Sequence, residues 1–336
     1  MSSGHYKHGF WSVLAALLGN GSIMILKFIG FSLSGSGTLF SEAIHSLADL
    51  LNQSLLLVGI KSSGRAANST FSYGFGKERF LWALISACGI FFLGAGVTLY
   101  HGVEGILDPH PVALGKFTII ALVTAFVVEG FTFFIAVREL RRHDRESSRK
   151  KVLRDGDPVV LAVVYEDGIA VLGVLVAMLS LGLYHITKNP LRDSAGSLVV
   201  GVLLAVMAIF LIAKNRAFLL GKAIPHDIKE EIIEMLEADP IIDKVLDFKS
   251  SILDFNSYHI KCEIECNGTA LMKELGKHNF FRNEYEEVKD DYQAFLEFCI
   301  DFTGRLPRLI GTRIDVVEAE IKKKFPQVKH IDLEIN

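Results

Sequence analysis

The sequence lacks the features that identify most enzymes and secreted domains. It contains only four cysteines, with no CxxC pair among them and no secreted-type disulfide framework. It contains no nucleophile elbow, phosphate-binding loop or metalloprotease motif, so we expect no hydrolytic activity. The formal net charge is only −3, which gives no argument for a nucleic-acid partner. The cysteines, expected to be free and mostly buried thiols, are Cys88, Cys262, Cys266 and Cys299.

Long apolar runs alternate with short polar breaks from Gly9 to about Phe218, whereas charged residues are dense from Pro225 onward. Half of all residues are apolar and the mean hydropathy is positive, which is unusual for a soluble domain of this length. Six apolar stretches are long enough to cross roughly 30 Å of hydrocarbon, which takes about 20 helical residues. They cover residues 10–32, 37–61, 79–106, 113–140, 157–185 and 193–218. The sequence therefore predicts an α-helical membrane protein, with six transmembrane helices within residues 1–220 and a soluble domain over 221–336.

Basic residues are unevenly shared between the two sides of this predicted helical domain. They are frequent in the loop after the second span, in the loop after the fourth and in the segment after the sixth. The loops on the opposite side contain only Lys116, Lys188 and Arg192. Because loops rich in Lys and Arg stay in the cytoplasm, we expect both termini and the soluble domain to be cytoplasmic, or on the equivalent side of an organelle membrane.

The second span carries a continuous polar stripe. Ser41, His45, Asp49 and Gln53 follow one another at steps of four residues, which places them on one helix face, with Asn52 one position aside. Hydrogen bonding between helices is one explanation, since Ser, Asn and Gln commonly serve that purpose. A histidine and a carboxylate at mid-bilayer are costly unless they are paired, hydrated or coordinated, and both are ligands for zinc and similar ions. The pair of His45 and Asp49 therefore favours a metal site.

Further acids occupy the fourth and fifth spans. Asp167 lies near the centre of the fifth span, at the depth of Asp49, and Glu166 is rotated by about 100° from it. We therefore expect one carboxylate to point into the bundle and the other to flank it. Glu129 in the fourth span is open to three roles: a proton relay, support for the metal ligands, or an ion pair with Lys27 of the first span. The remaining polar candidate is Asn20 in the first span, which we expect to serve packing more than coordination.

These features together resemble the cation diffusion facilitator family of zinc transporters. The resemblance rests on six spans, the HxxxD of the second span, the acid of the fifth and a soluble domain after the sixth. Several segments resemble in particular the branch that contains zinc transporter nine, and they cover nearly the whole chain in the right order. They are SEAIHSLADLLNQ, YGFGKERF, YHGVEGI, VYEDGIAVLGVL, NPLRDSAGSL and KHIDLEIN.

The resemblance implies a central metal site made by the second and fifth spans. Its ligands would be His45, Asp49 and Asp167, whereas Val163 stands where the family usually has a second histidine. A water, Glu166 or a residue of another helix would then complete the coordination shell of the metal. Candidates for supporting the ligands or for a proton path are Glu129, Asn20, Ser41, Asn52 and Gln53.

The resemblance also implies secondary transport rather than enzymatic catalysis. Zn²⁺ would leave the cytoplasm in exchange for protons by alternating access, with His45 as the natural proton acceptor because its reference pKa lies near neutrality. A transporter of Mn²⁺, Fe²⁺ or Co²⁺ is an alternative, since one nitrogen and several oxygens are not strongly zinc-selective. A second alternative is a membrane-anchored sensing or interaction protein that has lost transport, as Val163 would allow. Retention of costly buried acids favours transport.

The soluble domain resembles the ferredoxin-like cytoplasmic domain of the same family. An amphipathic helix follows Pro225, then two strand-like runs, KVLDFKSSIL and SYHIKCEIEC, and a closing strand, VKHIDLEIN. A helical insertion is expected over about 270–324, with a break near Gly304 and Pro307. In the family this domain drives homodimerisation, so we expect a homodimer in a lipid bilayer.

A regulatory zinc cluster in the soluble domain is not expected. The strand positions that carry histidines in some family members appear here as Leu246, Lys261 and Asp332. Scattered donors could still bind metal, although Cys262 and Cys266 share a strand face, which fits burial equally well. These donors are His259, Cys262, Cys266, His330 and Asp332.

The resemblance implies a mitochondrial membrane for a eukaryotic protein and the cytoplasmic membrane for a bacterial one. The first span is too long for a cleaved signal peptide, and no Arg/Ser-rich amphipathic leader precedes Phe10. A mitochondrial protein would carry such a leader, so the sequence favours the bacterial location.

Overall fold

The computed structural model describes the backbone of residues 3–143, 158–254, 256–276 and 280–336. Side chains are described for residues 19–138, 164–254, 256–273 and 281–336. Several predicted loop cations lie outside the described residues: Arg145, Arg149, Lys150, Lys151 and Arg154. The chain divides into two compact units, Met1–Leu219 and Leu220–Asn336.

The described part of the first unit contains six long helices, each of which overlaps one predicted span. They are α1 (Ser3–Ser34), α2 (Gly37–Ser63), α3 (Glu78–Leu107), α4 (Lys116–His143), α5 (Pro158–Thr187) and α6 (Leu191–Leu219). Among the described residues, α2 to α6 each contain a segment long and apolar enough to cross a membrane. The predicted α-helical membrane fold is confirmed.

Helix α3 contains a π-helical turn that the sequence analysis did not predict. Residues Ile90–Ala95 form this turn between two α-helical segments. A Cβ added at Gly94, within the turn, would lie 3.6 Å from the Cβ of Ala48 on α2. The π turn therefore packs beside the residue that precedes Asp49, and π turns occur frequently at functional sites.

The six helices of the first unit form two neighbouring groups. Helices α1, α2, α5 and α4 contact one another in that order around a ring, and α3 pairs with α6. Helix α2 also contacts both α3 and α6, and α5 contacts α6. The α3–α6 pair is close because glycines face leucines. A Cβ added at Gly102 would lie 2.8 Å from Leu198 Cδ2, and one at Gly201 would lie 2.8 Å from Leu99 Cδ2. Such backbone approach is typical of helix packing within membranes.

The described part of the second unit contains four helices and a three-stranded sheet. Its elements are α7 (His226–Glu237), β1 (Ile242–Asp254), β2 (Ser257–Cys266), α8 (Gly268–Gly276), α9 (Phe280–Val288), α10 (Tyr292–Lys324) and β3 (Val328–Ile335). The order in the sheet is β1-β2-β3, with β1 antiparallel to β2 and β3 parallel to β2. Parallel neighbours need a crossover connection, and the helices α8 to α10 supply it. This arrangement confirms the predicted α/β fold with a helical insertion.

One detail of the insertion differs from its prediction. Helix α10 continues through both Gly304 and Pro307, so the predicted break there is wrong. A proline removes one backbone donor and disfavours helix, but helical residues on both sides can carry the helix past it. The inner face of this unit is apolar, and its fully buried side chains include Ile232, Leu236 and Ile321.

Candidate metal centre

The start of α2 is held by an acid from another helix. Asp193, in the first turn of α6, accepts hydrogen bonds from Ser36 Oγ at 2.7 Å, Gly37 N at 2.6 Å and Thr38 Oγ1 at 2.7 Å. The carboxylate thus lies at the positive end of the α2 dipole, where negative charge is stabilising. This contact sets the axial position of α2 and therefore of its polar stripe. The NPLRDSAGSL segment contributes to the family resemblance, but its local pattern predicts no role for Asp193.

A small polar cavity of about 30 Å³ lies between α1, α2, α4 and α5. This volume accommodates roughly two water-sized spheres. The polar residues in its wall are Asn20, Ser46, Asp49, Gln53, Glu129, Thr132, Glu166 and Asp167. Predicted site residues from four helices therefore meet at one place, and four of the side chains are carboxylates.

His45 lies beside this cavity rather than in its wall. Its exposed fraction is 1 %, and its Nε2 is 3.6 Å from Asp49 Oδ2, which is too long for a hydrogen bond. Among the described residues, neither ring nitrogen has a hydrogen-bond partner. The imidazole is thus adjacent to Asp49 and is not engaged by the protein around it.

Both acids of the fifth span line the cavity. Glu166 reaches it while its Oε1 accepts a hydrogen bond of 3.0 Å from Asn52 Nδ2, and Asn52 Oδ1 accepts one of 2.8 Å from Ser86 Oγ. Asp167 lies in the same wall. The rotation of about 100° between the two residues had suggested that one of them only flanks the bundle, but the longer Glu166 side chain reaches the same space. Asn52 therefore positions Glu166.

The other polar candidates divide into two groups. Asn20 and Gln53 lie in the cavity wall, and Gln53 Oε1 has no hydrogen-bond partner in the described part of the chain. Ser41 is buried, and its hydroxyl donates to Gly37 O at 2.9 Å within its own helix. Ser41 is absent from the described cavity lining.

A buried lysine crosslinks three helices next to the cavity. Lys27 Nζ of α1 donates to Glu42 Oε2 of α2 at 2.8 Å and to Glu129 Oε1 of α4 at 2.7 Å. Lys27 and Glu42 are fully buried, and Glu129 is 9 % exposed. Of the three roles left open for Glu129, the ion pair with Lys27 is present. Glu42 was missed by the sequence analysis, although an acid three residues before His45 was a visible signal.

The cavity is acidic, but it is not a preformed metal cage. Among the described residues, no three His, Cys, Asp or Glu side chains converge closely enough to hold a metal ion as they stand. Two carboxylate oxygens of the wall, Asp49 Oδ1 and Glu129 Oε2, have no hydrogen-bond partner within the described ranges. Unpartnered anionic oxygens in a buried cavity require a cation or protons. The arrangement is therefore suited to binding a cation reversibly.

The donors of the second unit form a partial group on its sheet. His259 Nε2 lies 3.0 Å from Asp332 Oδ2, and the His330 ring centroid lies 6.3 Å from that of His259. Burial lowers the pKa of His330 below its ordinary value. Burial also raises the pKa of the Cys262 thiol to about 11 and raises that of Cys266. Both shifts disfavour the thiolate, which is the form of cysteine that binds metal.

Comparison with known proteins identifies the family. The model of the cation efflux transmembrane domain matches residues 13–220. The chain is 38 % identical over 329 residues to the Homo sapiens protein named proton-coupled zinc antiporter SLC30A9, mitochondrial, covering 96 % of this chain and 58 % of that protein. It is 34 % identical over 336 residues to metal tolerance protein C4 of Arabidopsis thaliana, covering 98 % and 74 %.

A second animal relative gives the same result. The Xenopus laevis protein, also named proton-coupled zinc antiporter SLC30A9, mitochondrial, is 36 % identical over 331 residues, covering 96 % of this chain and 59 % of that protein. The chain thus spans about three fifths of the length of these animal relatives. The matched domain and the membrane-crossing helices make it a multi-pass membrane protein. The chain belongs to the cation efflux family.

Proposed function

We propose that this protein exports a divalent metal ion, Zn²⁺ in the first instance, from the cytoplasm in exchange for protons. The observation that carries the proposal is the meeting of Asp49, Glu166 and Asp167 at one buried cavity between α2 and α5. Metal transport also accords with the names of the animal relatives. Alternating access would open this cavity to each side of the membrane in turn.

Asp49, Asp167 and Glu166 are the proposed oxygen ligands and His45 is the proposed nitrogen ligand. The imidazole lies 3.6 Å from Asp49, and its nitrogens make no hydrogen bonds with described residues, so a small side-chain movement makes one available to a metal. Carboxylate and imidazole are both ordinary zinc ligands. A site that assembles from separate helices when the ion enters suits transport better than permanent storage.

Proton coupling follows from charge compensation in this cavity. Four carboxylates line it, and Lys27 is the described cation hydrogen-bonded to one of them. Buried carboxylates without compensating charge are costly, so either a divalent metal or protons must accompany them. Ligands must also lose protons to bind metal. Metal and protons would therefore occupy the cavity alternately, which is the requirement for antiport.

A second candidate substrate is Mn²⁺, Fe²⁺ or Co²⁺. The donor atoms in the cavity wall are all oxygens, whereas the nitrogen donor His45 lies behind Asp49. Oxygen-rich sites suit harder metals such as manganese better than they suit zinc. The non-transporting sensing or interaction protein is a weaker alternative, since it gives no reason to keep four carboxylates around one cavity between membrane helices.

The orientation and assembly belong to the same proposal. The bias of basic residues towards one side supports cytoplasmic placement of both termini and of the second unit. We propose that the second unit forms a homodimer, as the family resemblance implies. The membrane would be the cytoplasmic membrane in a bacterium or a mitochondrial membrane in a eukaryote, and the names of the animal relatives include the word mitochondrial.

Zinc flux into proteoliposomes tests the proposal directly. The purified protein is reconstituted, and uptake is measured with and without an imposed pH gradient for the wild type, Asp49→Ala and Asp167→Ala. We expect flux that depends on the gradient and is lost in both variants. Glu104→Ala on α3 is the control, because the Glu104 side chain is 55 % exposed and lies outside the described cavity lining.

Three other flux results would contradict the site or favour an alternative function. Wild-type flux in both Asp49→Ala and Asp167→Ala would contradict the assignment of the site. Manganese flux in the absence of zinc flux would favour the second substrate. No flux of either metal above that of empty liposomes would favour the interaction protein.

A further inference from the structure

Glu129 takes part in the ion-paired group around Lys27 and also in the wall of the cavity. Its Oε1 accepts the 2.7 Å hydrogen bond from Lys27, whereas its Oε2 has no hydrogen-bond partner in the described part of the chain. The residue is 9 % exposed and lies in the wall of the cavity that also contains Asp49 and Asp167. A buried anionic oxygen without a partner, in the wall of a polar cavity, indicates a cationic ligand.

Glu42 provides an internal comparison because it shares the same lysine. Its Oε2 accepts a 2.8 Å hydrogen bond from Lys27, and its Oε1, like Glu129 Oε2, has no hydrogen-bond partner among the described residues. Unlike Glu129, however, Glu42 is absent from the described cavity lining. It packs instead against α5, where a Cβ added at Gly173 would lie 2.3 Å from Glu42 Oε1. The two carboxylates therefore have the same counter-ion and different surroundings: one borders the cavity and the other is enclosed by helices.

We propose that Glu129 is a further metal-binding residue of the transport cavity and that Lys27 is its resident counter-ion. The proposal rests on the function proposed above. In the absence of metal, the ammonium of Lys27 neutralises Glu129. A divalent cation entering between Asp49 and Asp167 competes with Lys27 for the Glu129 carboxylate.

Glu42 makes this exchange feasible. A buried ammonium left without an anion would be strongly unfavourable, since Lys carries a compact and strongly hydrated charge. Glu42 keeps its hydrogen bond to Lys27 when Glu129 binds the metal, so the ammonium always has an anionic partner. This arrangement also supplies a ligand from α4, a helix from which the HxxxD pattern takes none.

The first experiment compares Glu129→Gln with Glu104→Gln in zinc binding. The Kd for Zn²⁺ is measured on the purified protein in detergent, by competition with a fluorescent zinc chelator. Each substitution removes one negative charge and preserves the size of the side chain, but Glu104 lies on α3 outside the described cavity lining and its side chain is 55 % exposed. We expect Glu129→Gln to weaken zinc binding at least tenfold and Glu104→Gln to change it less than threefold.

Three results would overturn the proposal. The first is an unchanged Kd in Glu129→Gln, and the second is equal weakening in both variants, which would indicate a general loss of charge. If Glu129→Gln does not fold, Glu129→Asp replaces it, because the shorter side chain keeps the charge but reaches less far into the cavity. The third is an unchanged Kd in Glu129→Asp, since we expect weaker binding there as well.

The counter-ion role of Lys27 has its own test. The double variant Lys27→Gln/Glu42→Gln removes one positive and one negative charge together and leaves Glu129 without the ammonium. We expect zinc to bind severalfold more tightly, because the metal no longer competes with Lys27. An unchanged or weaker Kd would show that Lys27 does not compete with the metal.

The role of Glu129 and the transport site itself can be refuted separately. Zinc binding that is lost in Asp49→Ala but unchanged in Glu129→Gln would overturn the role of Glu129 alone. Zinc binding that is insensitive to Asp49→Ala would overturn the proposed transport site itself.

Discussion

The Asp193 carboxylate on α6 accepts a 2.6 Å hydrogen bond from the amide of Gly37, the first residue of α2. The two residues are separated by 156 positions in the sequence. Because α2 carries His45 and Asp49, this contact links the end of a helix outside the cavity to the side chains that form it. The position of the site therefore depends on an anion at the start of a helix.

Substitution of Asp193 should destabilise the protein and slow transport. Asp193→Ala leaves the Ser36 hydroxyl, the Thr38 hydroxyl and the Gly37 amide without their buried acceptor. Hydrogen bonds to charged groups contribute about 1.5–3 kcal/mol each, so we expect a loss of at least roughly 3 kcal/mol. The measurement is Tm in detergent, which should fall by roughly 5–10 °C. The Tm of Asp193→Asn should fall less, because its amide oxygen can still accept some of these hydrogen bonds.

A second acid near the same end of the bundle provides the control. Asp108 lies just after α3, and its side chain is 77 % exposed. Asp108→Ala should leave Tm and zinc flux unchanged. Equal effects of the Asp193 and Asp108 substitutions would refute the capping role.

Substitution of Asn52 should weaken metal binding without abolishing it. Asn52→Ala removes the 3.0 Å hydrogen bond that positions Glu166. Residues that orient metal ligands typically affect affinity by about 10–100-fold, and we expect a value near the lower figure. The Kd for Zn²⁺ measures the effect. Ser54→Ala is the matched control on α2, because the Ser54 hydroxyl donates to Leu50 O in its own helix. A Kd in Asn52→Ala as tight as in the control would argue against this role.

Two glycines of α5 should respond in opposite ways to alanine. At Gly173 a Cβ would lie 2.3 Å from Glu42 Oε1, so the carboxylate must shift and strain its bond to Lys27. Overpacking of this kind costs about 1–3 kcal/mol. At Gly182 nothing lies within 4 Å of the added Cβ, and alanine there should stabilise the helix by roughly 0.5–1 kcal/mol. The thermal unfolding of the two variants should therefore shift in opposite directions, and a fall for both would contradict the packing argument.

The Cys262 thiol should react slowly at neutral and mildly alkaline pH. Burial raises its pKa from 9.0 to about 11, and the thiolate is the reactive form. At pH 8 the thiolate fraction should therefore be roughly a hundredfold below that of an ordinary cysteine. Because the pKa is higher in the folded protein, this group stabilises the fold below pH 9, and the contribution is lost as the pH rises towards 11.

Mass spectrometry after N-ethylmaleimide treatment checks this prediction. The modification of Cys262 is followed between pH 7 and pH 10 in the native protein and in urea. Slow modification in the native protein that accelerates with pH, together with rapid modification in urea, is the expected pattern. Equal rates in both conditions would contradict it.

The sequence by itself determined the helices, the strands and the identity of most cavity residues. Runs of about 20 apolar residues and the alternation of strands are local patterns, and they set secondary structure and membrane insertion without long-range information. The four-residue spacing likewise placed His45 and Asp49 on one face of α2 before any packing was known. The prediction of a break in α10 was wrong because Pro307 only disfavours a helix, and the residues on both sides of it are helical.

Tertiary structure alone decided which of these polar groups meet. Lys27 lies between Glu42 and Glu129, residues 15 and 102 positions away, and Asp193 caps α2 across 156 positions. It also placed His45 behind Asp49 rather than in the cavity wall. Helical periodicity fixes the direction of a side chain about its own axis, but the partner it meets depends on how separate helices pack. In a medium without water, that packing decides whether a buried charge is paired or remains available to a cation.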